Sequence, residues 1–228
     1  MEHHEPSTLL ATAETIHWIA LAIMTIVYTV RLWWLHQFRN ARERQPAGQP
    51  DKTNALKGGL YSLGNVVMPW AMESTRKGVP FYLTFIFFHL GVAAGIGLAF
   101  VSSLYRPAVE IPAVAMTVMG ILGVAFLIGI YRVVRRFTLP HLRLISSPDD
   151  YFSVMMLTGW FLSGLLAQAY FLGWLQSELF LVAFLLATSF FLIYVPFSKI
   201  SHYLYYPFTR YWLGRSLGHR GSMPYARG

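Results

Sequence analysis

Cysteine is absent from the 228-residue chain. That excludes structural disulfides, thiol catalysis, covalently attached c-type haem and cysteine-ligated iron–sulfur clusters. Charge is scarce too. Asp, Glu, Lys and Arg make up 12% of residues, roughly half the ~25% of a soluble domain, which argues against a soluble globular protein. The hydrophobic share is 55% and the aromatic share 16%, a composition suited to a chain anchored at two membrane–water interfaces. Any metal must be held by His, Met, Tyr or carboxylates, so the eight histidines are the main chemical lead.

Five apolar runs are long enough to cross a bilayer, which takes about 20 mostly apolar residues. They cover about 15–35, 80–104, 112–131, 151–172 and 179–206. Pro80 and Pro112 sit where a first helical turn tolerates a missing N–H. Ser147-Pro148-Asp149-Asp150 supplies a cap and an acidic first turn for the fourth run. Pro196 is expected to kink the fifth. The expected fold is an all-α integral membrane protein. It is a single membrane domain over 1–228, with a five-helix transmembrane bundle, a connection over 37–79 and a tail over 207–228. The acidic start of the chain lacks the basic region of a signal peptide, so the first run reads as a retained span.

Lys and Arg are distributed unevenly. Sixteen of the eighteen fall in the 37–79 connection, in the 132–150 connection and from Lys199 onward. Arg106 stands alone on the other side, and Arg31 lies near the end of the first run. The positive-inside rule then places the N-terminus outside and the C-terminus in the cytoplasm. The same topology accounts for the net charge of +8 without nucleic acid. Leu56 to Tyr61 and Val66 to Trp70 make the second half of the 37–79 connection amphipathic. It suits the inner membrane face or a docked cytoplasmic partner. No internal repeat, catalytic triad, phosphate loop or zinc spacing is visible.

His89 lies well inside the second run, and ionisable residues there are costly and usually functional. Gly91, Ala93, Ala94, Gly95 and Gly97 follow it. Such small residues permit close helix packing, with His89 hydrogen-bonded to a neighbouring helix, and they also leave room for a flat macrocycle. His202 lies near the end of the fifth run, where interfacial snorkelling and metal ligation both fit. Counting from the helix ends puts His89 ~14 Å and His202 ~6 Å from the cytoplasmic boundary, so both belong to the cytoplasmic half. Two such residues suit bis-imidazole ligation of a b-type haem. Arg31, Lys199, Arg210 and Arg143 gather toward that side as candidate partners of the haem propionates, or as snorkelling cations. His3, His4, His17, His36, His141 and His219 read as solvated or interfacial. Asp149 and Asp150 read as helix caps rather than proton relays.

The five-helix, N-out pattern, the Phe88-His89-Leu90-Gly91 stretch and the Pro196-Phe197-Ser198-Lys199-Ile200-Ser201-His202 stretch resemble one family. It is the gamma subunit of respiratory nitrate reductase, grouped with the cytochrome b subunits of heterodisulfide reductase and of sulfite reductase-linked and hydrogenase-linked complexes. The resemblance covers most of the second to fifth runs. It implies a respiratory haem b subunit in a prokaryotic cytoplasmic (inner) membrane. Electrons would pass between the quinone pool and a cytoplasmic iron–sulfur subunit of a larger redox complex. It implies His89 and His202 as axial ligands of the haem nearer the cytoplasm. The family's second, outer haem would take ligands at the positions of Ala99 and Phe184, neither of which can bind iron. One haem b is therefore expected, with a second one on unusual ligands such as His17 or His36 as the variant. A haem-free membrane anchor or assembly subunit is the alternative. A small channel would need Thr117, Thr158, Ser163 and Gln168 to line a path.

Overall fold

A computed structural model describes residues 7–38, 54–65, 68 and 73–217. His3, His4 and His219, most of the Val66–Trp70 stretch and the end of the tail lie outside the described residues. The described chain is helical, and among the described residues there is no strand. In order come α1 Thr8–Gln37, α2 Ala55–Gly64, α3 Glu73–Lys77, α4 Val79–Leu104, α5 Arg106–Glu110, α6 Pro112–Thr138, α7 Pro140–Ile145, α8 Pro148–Phe171, α9 Leu179–Tyr194 and α10 His202–Leu217. Among the described residues, five helical segments are long and apolar enough to cross a membrane: α1, α4, α6, α8, and α9 with the turn that follows it.

The spans match the apolar runs, but three edges move. α1 starts at Thr8, where the Ser7 hydroxyl accepts from the Leu10 N–H at 3.2 Å as a helix cap does. Thr12 and Thr15 satisfy their hydroxyls on the carbonyls of Thr8 and Ala11 at 2.7 and 2.8 Å, so their polarity does not end the helix. α6 runs on to Thr138, so Arg132, Arg135 and Arg136 lie on the helix and not in a connection. The fifth run is not one helix to Tyr206. α9 stops at Tyr194, and two short 3-10 turns, Val195–Phe197 and Lys199–Ser201, precede α10. Pro196 has no N–H to continue the ladder. Ser198 then starts a fresh turn, its hydroxyl accepting from the Ile200 N–H at 3.1 Å.

The chain divides into two compact units, 1–27 with 83–194 and 28–82 with 195–228. In the first, α6 and α8 pack closely, and α8 packs on α9. Its centre is aromatic. Trp160 stacks on Phe184 with centroids 6.1 Å apart, and its indole N–H donates to Thr188 at 2.8 Å. Gly91 lets α4 cross α6, since a Cβ there would strike Ala125. At the same end of this unit, Ser7 bonds Glu178, and Arg106 pairs with Glu14 of α1 at 3.4 Å.

In the second unit α2 lies against α10. A Cβ on Gly214 would strike the Gly58 carbonyl and the Ser62 side chain. Asn54 caps α2, accepting from the Lys57 N–H at 2.7 Å. Four spans separate α2 from α10 in sequence. That even number returns the chain to the same membrane face, as their contact requires.

Candidate functional site: the histidines of the spans

His89 sits on α4, in the first unit, and its side chain is exposed on the surface of the chain. Its Nδ1 lies 2.8 Å from the carbonyl oxygen of Phe85, one turn back, and its ring is 4.1 Å from the Phe85 ring. His202 opens α10, in the second unit, and is also exposed. Its Nδ1 lies 3.0 Å from the Lys199 carbonyl. A carbonyl oxygen can only accept. Nδ1 therefore carries the proton in both residues, and in the neutral imidazole the lone pair falls on Nε2. This is the arrangement in which a metal-bound histidine is normally held: one ring nitrogen donates to a carbonyl and the other faces the metal.

The two histidines differ in setting. His89 stands on a membrane-spanning helix among exposed Phe85, Ile86, Phe87 and Leu90. His202 stands past the end of the last span, beside Tyr203. Tyr203 donates to the Tyr28 hydroxyl at 2.9 Å. Burial holds its own hydroxyl above the usual tyrosine range, so it remains protonated and able to donate.

The four candidate propionate partners are placed as follows. Arg31 donates to the Pro196 carbonyl and, at 3.3 Å, to Tyr205, and it stacks over Phe197. Arg210 reaches the Ser62 carbonyl through Nε and Nη2 at 3.3 and 3.2 Å. Both thus tie together parts of the second unit. Lys199 is exposed on its 3-10 turn, and Arg143 is exposed on α7. The remaining described histidines divide sharply. His36 and His141 are exposed. His17 is fully buried against Phe100, and neither ring nitrogen has a hydrogen-bond partner among the described residues. The solvated role expected for His17 is therefore corrected: α1 turns this face inward, with Leu10, Ala13 and Ala20.

Ala99 and Phe184 are both fully buried. The Phe184 ring lies against Trp160 and close to Gly164. The polar groups weighed as a channel lining are directed elsewhere. Thr117, Thr158 and Ser163 donate to carbonyls of their own helices, and Gln168 donates to the Val109 carbonyl at 3.0 Å. Ser147 donates to Asp150 through both its N–H and its hydroxyl at 2.8 Å, giving the expected helix start. Asp149 takes no part in that cap and accepts from Tyr194 at 2.6 Å. Sequence reasoning missed Arg132, which lies over the Phe88 ring at 4.5 Å, beside His89. The signal was available, because Val133, Val134 and Phe137 carry the apolar run past it.

The chain is similar to a curated protein of Nitratidesulfovibrio vulgaris (strain Hildenborough). The two are 27% identical over 201 residues, covering 86% of this chain and 88% of the relative. That relative's name, "Protein", states no function. No family model matches the chain, and no solved structure does.

Proposed function

We propose that this protein is the haem b membrane subunit of a respiratory redox complex in a prokaryotic inner membrane. It would carry electrons between the quinone pool and a cytoplasmic iron–sulfur subunit. The observation that carries the reading is the shared state of His89 and His202. Each donates its Nδ1–H to a carbonyl three or four residues back, the tautomer in which Nε2 carries the electron pair. The pairing of these two as axial ligands comes from the sequence. Haem supplies reversible one-electron chemistry. The chain's part is to fix both imidazoles in one tautomer, to bury the group and to set its potential by nearby charge. Ligation by two imidazoles closes both axial positions, which favours electron transfer over oxygen chemistry. Clusters must come from another subunit, because this chain has no cysteine.

The topology belongs to the same proposal: N-terminus outside, with the α2 and α10 side in the cytoplasm, from the Lys and Arg distribution. The test is a pyridine haemochrome assay with a reduced-minus-oxidised spectrum on the purified protein. One haem b per chain is expected. His89→Ala and His202→Ala should each abolish the low-spin signal while the protein still inserts. Normal low-spin haem in both variants would overturn the ligand assignment. A well-folded wild type without haem would favour the anchor alternative.

A further inference from the structure

Arg132 is a half-buried cation with no counter-charge among the described residues. It lies on α6, within a membrane-spanning helix. Its Nε is buried and has no hydrogen-bond partner, and it forms no ion pair among the described residues. Its guanidinium carbon lies over the Phe88 ring, 4.5 Å from the centroid. That contact holds the group beside the ring and leaves its terminal N–H groups to meet a planar anion. A buried donor without an acceptor costs ~1–3 kcal/mol, more for a charged group, so such a placement calls for a ligand.

Its position is specific. α4 and α6 cross where Gly91 meets Ala125. Arg132 is seven residues past Ala125 and so returns to the same helix face, roughly 10 Å along the axis. Phe88 lies on the matching side of Gly91, as antiparallel neighbours require. His89 is only ~3 Å from the crossing along α4, so Arg132 stands roughly 7 Å beyond it. We infer that Arg132 is the binding point for a carboxylate delivered beside His89, and that this carboxylate is a haem propionate. The inference rests on the haem reading. It names Arg132, rather than Arg31 or Arg210, whose guanidinium groups already bond carbonyls. A carboxylate side chain of a partner subunit has the same chemistry and is the competing source.

The experiment compares haem with haem dimethyl ester, which lacks free carboxylates, each titrated into the haem-depleted full chain. With haem, Arg132→Gln should bind at least tenfold more weakly than wild type. With the ester, the two chains should agree within twofold. If Arg132→Gln does not insert, Arg132→Lys serves in the same comparison, since a point charge replaces the fork. A second readout is the haem potential. At the wild-type midpoint the reduced-to-oxidised ratio should fall about tenfold in Arg132→Gln, which is 59 mV for one electron. Equal weakening of haem and ester, or an equal effect from Arg143→Gln, overturns the inference. So does unchanged haem binding accompanied by loss of partner subunits from the complex, which assigns the carboxylate to a protein. Failure of the wild type to bind either molecule is a different result and sinks the haem reading itself.

Discussion

Gly95 and Gly164 of the first unit make room for rings, as Gly59 of the second does for Tyr211, whereas Gly214 of the second unit makes room for backbone. A Cβ on Gly95 would come within 2.7 Å of the Trp160 indole, and one on Gly164 within 3.3 Å of the Phe184 ring. In the second unit a Cβ on Gly214 would strike the Gly58 carbonyl, with Ser62 and Asn65 buried nearby on or at the end of α2. Stripes of small residues that look alike in sequence thus do different physical work. In one place they hold a large apolar payload. In the other they bring two short helices close enough for backbone contact. The consequence is a difference between two sites: the Gly95 site should be sensitive to shrinking the Trp160 ring, the Gly214 site to enlarging the glycine itself.

The largest effect is expected from Trp160→Ala, which empties the space Gly95 leaves and removes the stack on Phe184. A loss of about 3–5 kcal/mol is expected, measured as reversible unfolding in mixed micelles. A loss below ~1 kcal/mol would mean that the ring is not the keystone of that unit. Next comes Gly214→Ala, where a single methyl meets a carbonyl that cannot step aside. Overpacking of this kind costs about 1–3 kcal/mol, and faster amide exchange across α2 should report it. The control is Gly97→Ala, where nothing lies within 4 Å and the change should stay within ~0.5 kcal/mol. Equal effects at both positions would erase the contrast. Thr188→Val keeps the shape but orphans the Trp160 indole N–H, now bonded at 2.8 Å. A cost of about 1–2 kcal/mol is expected, smaller than removal of the ring.

The spans were legible because each is a long apolar run, and a bilayer leaves the backbone few alternatives to a helix. The misread edges share a cause. At the start of α1, Thr12 looks like a loop residue but bonds its own helix, and Glu14 finds Arg106 across the unit. At the end of α6, Arg132 looks like the start of a connection, yet Phe88 receives its guanidinium inside a span. Asp149 looked like a cap, while Tyr194, 45 residues away in sequence, holds it. Polarity alone says that a residue needs a partner, and only the fold says where the partner is. The same limit applied to the candidate site. Spacing and neighbours singled out His89 and His202. The carbonyls that set their tautomer become visible only once the chain is coiled.

His17 gives the sharpest contrast with His89, and its substitution is the smallest change expected. Both are histidines of membrane-spanning helices in the first unit. His89 is exposed, with Nδ1 directed to a carbonyl, whereas His17 is sealed in with neither nitrogen satisfied among the described residues. An apolar side chain of similar size needs no partner, so replacing an unsatisfied buried group is nearly neutral or stabilising. His17→Leu should therefore leave stability unchanged or raise it by about 1 kcal/mol, with the same haem content per chain as wild type. On the haem reading proposed above, His89→Ala should instead lower the haem content per chain. Loss of haem or of more than ~1 kcal/mol in His17→Leu would mean that its nitrogens are bound to something in the membrane. A second haem on unusual ligands would then be the first explanation to pursue, with Phe100 and the face of α4 that carries it as the place to look.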